Sequence, residues 1–420
     1  MSALGRVWRL LPRDLRRDAL FGTMAALAPR PDAEPPPPDA ALPVTVAGYF
    51  GASTGLGAAA RRLAAALRLA GLGVAEADLT GPLRQGPAGA APPDVAPGPG
   101  TLLVHVNGPM LPWAMRVLGR RAVAGKRVVA VWNWELPRLA PDWRRGFRFA
   151  HEAWVPSRFT ADAVSAEPRA PPVRVVPYMV PEPDPSPLGR ADFGLPADAF
   201  VALSVFDASS SIARKNPLAA VAAHRLAFGD RPDRVLVLKT YNTATAGPAW
   251  REVAEAAAAA SNIRVLDRAL DRRDLWALVR AADCFLSTHR AEGFGFGIAE
   301  AMRAARPVLA TGWSGNMDFM AGEGAVALPY DLVPARDPQR TYDLPGAVWA
   351  EVRVPEAAAA LAALAETGPE RRIALGRAAR ATAAALVPET VAARAKAALS
   401  DPIRAGAAGR VGLQHAGNSV

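Results

Sequence analysis

From Val44 onward, short apolar runs alternate with stretches whose apolar residues recur at helical spacing. Val44–Gly48, Thr101–Val106, Arg127–Trp132 and Val173–Val176 have the length and density of buried parallel strands. Gly55–Ala70 sets Leu63, Leu67 and Ala70 on one face and predicts a helix, whereas the Pro- and Gly-rich stretch Gly81–Gly100 predicts a loop. A second series opens near Phe200, with strands expected at Phe200–Phe206, Arg234–Lys239, Asn262–Leu266, Asp283–Thr288 and Arg306–Ala310. Asn216-Pro217 predicts a helix start, Asn as N-cap and Pro at the first helical position. Asp271 is expected to cap a helix through Ala281, and the Ala-rich stretches Pro355–Glu366 and Pro369–Leu386 read as helices. Two successive strand–helix series predict an α/β protein, two doubly wound Rossmann-like domains facing each other across a cleft. Ligand is then expected in the cleft, outside the carboxyl ends of the strands.

The first 43 residues are of another kind. Leu4, Val7, Trp8, Leu11 and Leu15 share one helical stripe beside Arg13, Arg16 and Arg17. Two readings stand: a basic helix resting on an anionic lipid surface, or a helix packed on the protein's own surface. The same arginines ahead of Ala19–Ala28 weakly imitate a secretion signal, but Asp14 and Asp18 interrupt them and no small-residue cleavage site follows. Pro29–Pro43 reads as a stiff linker, and Pro177–Pro187 as a hinge. The expected organisation is a helix and linker over 1–43, a first domain over 44–180, a second over 181–395 and a tail over 396–420.

Composition changes this picture at three points. With 420 residues, 51% of them hydrophobic and 21% charged, the chain can build more than one core. The net charge of +10 suits an anionic membrane surface or an anionic substrate. Neither zinc-finger spacing nor an aromatic-basic RNA motif accompanies it, so nucleic acid is not an expected partner. The single cysteine, Cys284, lies in the apolar run Cys284-Phe285-Leu286, reads as core and fits a reducing compartment. Five scattered histidines form no zinc signature, and no apolar stretch approaches the roughly 18 residues that cross a bilayer.

The chemistry concentrates in Ser287-Thr-His-Arg-Ala-Glu292-Gly-Phe-Gly-Phe-Gly297-Ile-Ala-Glu300-Ala-Met302. A strand ends near Thr288, a glycine-rich loop follows, and a helix starts near Gly297. Such a start turns unpaired N–H groups and a partial positive charge toward a ligand, which suits a diphosphate. Glu292 lies on the loop and Glu300 about one turn into the helix. One carboxylate can then stand beside a transferring group while the other reaches a ribose diol. Elsewhere on the same expected edge lie the helix opening Gly55-Leu56-Gly57, the strand end His105-Val106-Asn107, the run Trp132-Asn133-Trp134-Glu135, and His289. Each has a second reading: a tight turn for the glycines, a core side chain for His105 and His289, and core packing for the tryptophans.

Glu-x7-Glu in this Gly-Phe-Gly setting, with Ala-Glu-Ala-Met and Pro307-Val308-Leu309-Ala310-Thr311-Gly312 behind it, resembles the signature of the family-4 retaining glycosyltransferases, which have the two-Rossmann-domain, GT-B type architecture. The resemblance extends to Gly55-Leu56-Gly57-Ala-Ala-Ala-Arg61, Trp154-Val155-Pro156-Ser157 and Arg214-Lys215-Asn216-Pro217, from Val44 to about Leu386. Ser314-Gly315-Asn316-Met317-Asp318-Phe319 resembles a subgroup of mannosyl- or similar polysaccharide-assembly transferases.

The resemblance implies a first domain for the acceptor and a second for a nucleotide diphosphate sugar. Glu300 would bind the donor ribose, and Glu292 would face the sugar and stabilise positive charge at its anomeric carbon. Backbone groups of Gly293, Phe294 and Gly295 would hold sugar hydroxyls, and the Gly297 and Ile298 amides the diphosphate. Lys215, with Arg214 beside it, would neutralise the leaving diphosphate. Gly55, Leu56, Gly57, His105 and Asn107 would lie on the acceptor or sugar side. No cofactor and no metal are implied, since cations replace the metal and no Asp-x-Asp motif is present. The acceptor would be a saccharide or lipid-linked sugar, and the setting cytoplasmic, peripheral on the inner face of the plasma membrane. One departure stands out: Asp207-Ala-Ser-Ser-Ser211 has no cation where many relatives carry an Arg, leaving Arg214, Lys239 and Arg268 as candidate replacements.

Two other readings compete. A nucleotide-sugar epimerase of similar shape also binds a diphosphate between domains, and a degenerate transferase would bind without turnover. A nicotinamide dehydrogenase is excluded, because Gly55-x-Gly57 is followed by Ala60 and the acidic spacing is met only loosely by Glu76 and Asp78.

Overall fold

The computed structural model describes residues 12–85 and 93–403. Its first sheet comprises β1 (Val44–Gly48), β2 (Val74–Asp78), β3 (Gly100–His105), β4 (Lys126–Val131), β5 (Glu152–Val155) and β6 (Val173–Val175), in the order β2-β1-β3-β4-β5-β6. All five pairings are parallel. The second comprises β7 (Phe200–Val205), β8 (Arg234–Thr240), β9 (Ile263–Asp267), β10 (Cys284–Ser287), β11 (Val308–Thr311) and β12 (Ala325–Leu328), in the order β12-β11-β10-β7-β8-β9. It too is parallel throughout. The two doubly wound domains expected from the alternating pattern are therefore present.

Strands with both faces covered need apolar residues at nearly every position, which is why β1, β3, β4 and β7 are legible as continuous runs. The edge strand β2, Val-Ala-Glu-Ala-Asp, is partly exposed and was not anticipated; nor were β5, β12 or the antiparallel hairpin β13 (Tyr330–Pro334) and β14 (Val348–Val352). Lys126 and Arg127 open β4 yet are buried, because Lys126 Nζ donates to the Gly98 carbonyl at 3.0 Å and Arg127 donates to Glu152 at 2.9 Å and to the Leu399 carbonyl at 2.6 Å.

Helix Pro217–Phe228 opens where expected, with Asn216 at the N-cap position and Pro217 first, but the capping role of the Asn216 side chain is corrected. Asn216 sits in the left-handed region, at φ 52°, where it ends the short helix Ile212–Lys215 before helix Pro217–Phe228 begins. Its side chain caps nothing and donates instead to Glu351 Oε1 at 2.9 Å. Asp271 does cap, accepting from the Asp274 amide at 2.8 Å ahead of helix Arg272–Ala281.

The two domains are tied at both ends of the second. Val180, in the hinge, donates to the Leu386 carbonyl at 2.9 Å. The chain then forms helix Pro388–Ser400, which returns to the first domain and sets Ala395, Ala398 and Leu399 in one apolar cluster with Leu63 and Leu67 of helix Gly55–Leu69. At the other terminus, helix Arg13–Leu27 docks on the first domain. Phe21 meets Trp113 edge-on with centroids 5.9 Å apart, Ala25 is buried, and Arg17–Asp142 and Arg145–Asp18 pair at 2.6 and 3.0 Å. Over these residues the packed-helix reading describes the inner face; Leu4, Val7, Trp8 and Leu11 lie outside the described residues. The proline linker is pinned as well, with the Asp32 carboxylate accepting from the Gly125 amide at 2.8 Å.

Candidate active site in the interdomain cleft

The glutamate loop leaves β10 and enters helix Phe296–Arg303, one residue earlier than the glycine spacing suggests, with Gly295 at φ 93° as the turning residue. The loop is built against the first domain. Ser157, N-cap of helix Arg158–Ser165, donates its hydroxyl to the Gly293 carbonyl at 2.6 Å. A Cβ on Gly293 would lie 2.9 Å from the Trp134 carbonyl oxygen, so only glycine lets the two backbones meet this closely. Ser314 Oγ accepts from the Glu292 amide at 2.8 Å, and Gly315 N donates to the Glu292 carbonyl at 2.8 Å. Phe294 and Ile298 are buried in the second core, while Gly297 is half-buried at the helix start.

The cations come from the short helix Ile212–Lys215, whose N-cap Ser211 accepts from the Arg214 amide at 3.1 Å. Lys215 Nζ lies 2.5 Å from Glu292 Oε1, and Arg214 Nη1 lies 3.2 Å from Glu292 Oε2. Arg214 also donates to the Ala291 carbonyl at 2.8 Å and the Ser210 carbonyl at 3.1 Å. Burial by itself would raise the Glu292 pKa, but the adjacent Lys215 and Arg214 charges outweigh it and pull it from 4.5 to about 2. Glu292 is therefore a fixed anion. Burial works the other way on Lys215, lowering its pKa, with the Glu292 charge offsetting part of the effect.

Of the three candidate replacement cations, Arg214 alone pairs with Glu292 among the described residues. Lys239, at the end of β8, is buried, donates to the Thr240 carbonyl at 3.0 Å and lies 5.2 Å from the Tyr241 ring centroid. Burial drops its pKa to about 8. Arg268 is exposed just past β9. These two occupy a neighbouring part of the β7–β8–β9 edge, near Asp207 and Asp267.

Several site residues had escaped the sequence. The loop between β13 and β14 braces the cations: buried Asp337 accepts from Ser211 Oγ at 2.9 Å, Gln339 Oε1 accepts from the Ile212 amide at 2.6 Å, and the Tyr342 ring lies 5.3 Å from the Arg214 guanidinium. Tyr342 donates to Glu135 Oε2 of the first domain at 3.0 Å. No local pattern marks these residues; they meet only through the fold.

The second carboxylate, Glu300, pairs with Arg62, which reaches across from helix Gly55–Leu69. On the first-domain face, Thr54 caps that helix by accepting from Gly57 N at 3.3 Å. A Cβ on Gly57 would fall 2.3 Å from the Ala52 carbonyl oxygen, so a tight turn accounts for this glycine; Gly55 is exposed and Leu56 half-buried. His105 Nε2 is 2.9 Å from the Tyr178 hydroxyl, which donates to Asn133 Oδ1 at 3.0 Å. Complete burial lowers the His105 pKa to about 4, so the ring is neutral. Asn107 Oδ1 accepts from the Asn133 amide at 2.9 Å. Trp132 and Trp134 are buried and meet Trp143 edge-on, centroids 5.8 and 5.0 Å away, so their faces are used for packing. His289 is likewise buried, near Ser287 Oγ at 2.9 Å and Asn316 Oδ1 at 3.0 Å. Cys284 is core, its thiol pushed well up by burial. Among the described residues no group of three or more His, Cys, Asp or Glu side chains is placed to hold a metal.

This geometry has parallels among known proteins. Residues 234–343, which include Glu292 and Glu300, match the family described as glycosyl transferases group 1. The structure is similar to that of the E. coli trehalose-6-phosphate protein bound with UDP-2-fluoro glucose, at 13% identity, covering 72% of this chain and 74% of that one, TM-score 0.54. It is also similar to the N-terminal domain of trehalose-6-phosphate phosphatase from Candida albicans, at 10% identity over 73% and 70% of the two chains, TM-score 0.53. A third likeness is to a mutant of S. aureus TarM in complex with fondaparinux, α-GlcNAc-glycerol and UDP, at 10% identity, covering 72% of this chain, TM-score 0.53. That match spans 55% of TarM, so this chain corresponds to about half of it. No curated protein matches the chain at the level of sequence. The architecture is GT-B, and the segment that bears the two glutamates matches the group 1 glycosyl transferase family.

Proposed function

We propose that the protein is a retaining glycosyltransferase that moves a hexose, glucose or mannose, from a nucleotide diphosphate sugar to a saccharide or lipid-linked acceptor in surface polysaccharide or glycolipid assembly. The observation that carries this reading is the Glu292 carboxylate, held between Lys215 and Arg214 beside the loop that opens helix Phe296–Arg303. As the bond from the anomeric carbon to the phosphate breaks, negative charge grows on the diphosphate and positive charge on the carbon. Lys215 and Glu292 place one charge of each sign 2.5 Å apart, suited to the two ends of that bond. The diphosphate would sit on the amides of Gly297 and Ile298, with Gly293 to Gly295 lining the sugar and Glu300 taking the ribose. UDP or a UDP-sugar occupies two of the structures that share the fold.

The cation pair also supports transfer without a metal. No helix among the described residues is long and apolar enough to cross a membrane. We place the protein in the cytoplasm, peripheral on an anionic membrane. Helix Arg13–Leu27 turns Leu15, Leu20 and Leu27 outward at 57%, 47% and 67% exposure, and Leu27 borders an open hollow lined by Arg30, Arg116 and Arg120.

The test is incubation with UDP-, GDP- and ADP-hexoses, with and without saccharide acceptors, following nucleotide release and the anomeric configuration of the product. A retained product, unaffected by EDTA, is expected. Epimerised nucleotide sugar without transfer supports the epimerase; nucleotide binding without any turnover supports the degenerate module. Turnover lost to EDTA and restored by manganese overturns the metal-free step.

A further inference from the structure

Arg62 belongs to the first domain, but its side chain works in the second. It is buried, its guanidinium pairs with Glu300, and it lies 4.2 Å from the centroid of the Phe296 ring. Phe296 is the first residue of the helix whose start would take the diphosphate, and Glu300 is the carboxylate that would take the ribose. The guanidinium thus touches both the first residue of that helix and the carboxylate one turn further on. Arg272, at the exposed start of helix Arg272–Ala281, donates to the Pro181 carbonyl and adds positive charge beside the pair: burial, and then the Arg62 charge, lower its pKa. Arg62 and Arg272 leave positive charge in surplus beside Glu300. A dianion arriving there would be matched.

We propose that Arg62 is a first-domain clamp for the donor diphosphate, handed from Glu300 to the phosphates when the ribose hydroxyls take that carboxylate. This rests on the reading of Glu300 as the ribose ligand. The exchange keeps both charges partnered: Glu300 gives up a guanidinium and gains hydroxyls, while Arg62 gives up a carboxylate and gains phosphate oxygens, to which its planar fork is well matched. A nucleoside without phosphates would break the ion pair and leave Arg62 buried and unpaired, which is costly. The site therefore selects for the diphosphate itself, and donor binding fastens one domain to the other.

The test measures binding of UDP, GDP and ADP, and of uridine, guanosine and adenosine, to the full chain and to Arg62→Gln. With the base that binds, Arg62→Gln is expected to weaken the diphosphate by about 10- to 100-fold, the worth of a charge-assisted hydrogen bond. The same variant is expected to bind the matching nucleoside more tightly, since the competitor for Glu300 is gone. Opposite signs for the two ligands are the signature of the exchange. Equal weakening of both, or no change in either, overturns it. If Arg62→Gln does not fold, Arg62→Lys keeps the charge without the fork and is expected to weaken the diphosphate selectively. Glu300→Gln is a second route: it releases Arg62, so inorganic pyrophosphate should bind at least as tightly as to the wild type while the nucleoside weakens. Pyrophosphate weakened in Glu300→Gln overturns the exchange. If no nucleotide binds the wild type, the donor reading itself fails, a result distinct from binding that is indifferent to Arg62.

Discussion

The two sheets share an architecture and differ in the chemistry of their switch points. The first runs β2-β1-β3-β4-β5-β6 and the second β9-β8-β7-β10-β11-β12, each reversing direction beside its opening strand. In such sheets ligands gather where the strand order reverses. Around the reversal of the second sheet stand Arg214, Lys215, Glu292 and Glu300, braced by Asp337 and Tyr342 from the hairpin loop. Around that of the first stand a tight glycine turn and the neutral chain His105–Tyr178–Asn133. Charge is concentrated at the second switch point, where Arg62 of the first domain joins it, while the rest of the first switch point offers hydroxyl, amide and imidazole partners. That division suits a donor that ionises on one side and a neutral polyhydroxyl acceptor on the other.

The largest expected effect tests this division directly. Lys215→Ala should lower turnover by about 10²- to 10³-fold, the loss typical of one donor aimed at developing charge. Glu292→Gln should lower turnover far more than nucleotide affinity, because its charge matters most in the transition state. His105→Asn, at the other switch point, should cost much less. Steady-state kinetics with separately measured nucleotide affinity gives all three values. Equal losses at His105 and Lys215 would mean that charge is not what separates the two sites.

Acid provides the next effect. The folded pKa of Glu292 is about 2, below its ordinary 4.5, so the ionised carboxylate stabilises the fold fully above pH 4.5 and this contribution is lost as pH falls toward 2. The shift corresponds to roughly 3 kcal/mol. Urea unfolding at pH 6 and pH 3 should show a steeper loss for the wild type than for Glu292→Gln. Parallel losses would show that the carboxylate is not held by its cations.

A smaller effect separates the two glutamates. Glu300→Gln keeps the shape and would weaken the proposed hydroxyl contacts to the donor, so nucleotide affinity should fall by about 10- to 100-fold with turnover at saturation little changed. The reverse pattern, turnover lost and affinity kept, would exchange the roles assigned to Glu292 and Glu300.

These residues were not equally visible before folding. Central strands are apolar on both faces and the glutamate loop is a local string, so β1, β3, β4, β7 and both carboxylates could be read directly. The edge strand β2 mixes Glu76 and Asp78 with alanines and gives no such signal. Asn216-Pro217 marks the helix start correctly, but the preceding helix ends on Asn216 in the left-handed region, which leaves its side chain unable to cap. Arg62 looks like an ordinary charged position on an amphipathic helix, and only the closeness of the two domains turns it toward Glu300. Asp337 and Tyr342 lie more than a hundred residues from the cations they support. Contacts made across the chain leave no spacing to read.

The smallest effect lies away from the cleft, on helix Arg13–Leu27. One of its faces is committed to the protein through Phe21, Ala25, Arg17 and Asp18, while Leu15, Leu20 and Leu27 point outward. Removing residues 1–40 would uncover Trp113 and confuse folding with binding, so substitution on the outer face is the cleaner probe. Leu20→Ser with Leu27→Ser should leave the unfolding temperature unchanged, because both side chains are already exposed. Inserting a leucine into the lipid interface contributes about 1–2 kcal/mol, so the pair should weaken binding to vesicles rich in anionic phospholipid by at least tenfold. Neutralising Arg30, Arg116 and Arg120 should act in the same direction, by roughly 1 kcal/mol for each cation that reaches the surface, and its effect should shrink as salt is raised. Kinetics on a soluble acceptor should be unaffected by either set, since none of these residues approaches Glu292. If vesicle binding is equal for the wild type and both variants, the outward leucines are not a membrane face and the helix serves only to cover Trp113.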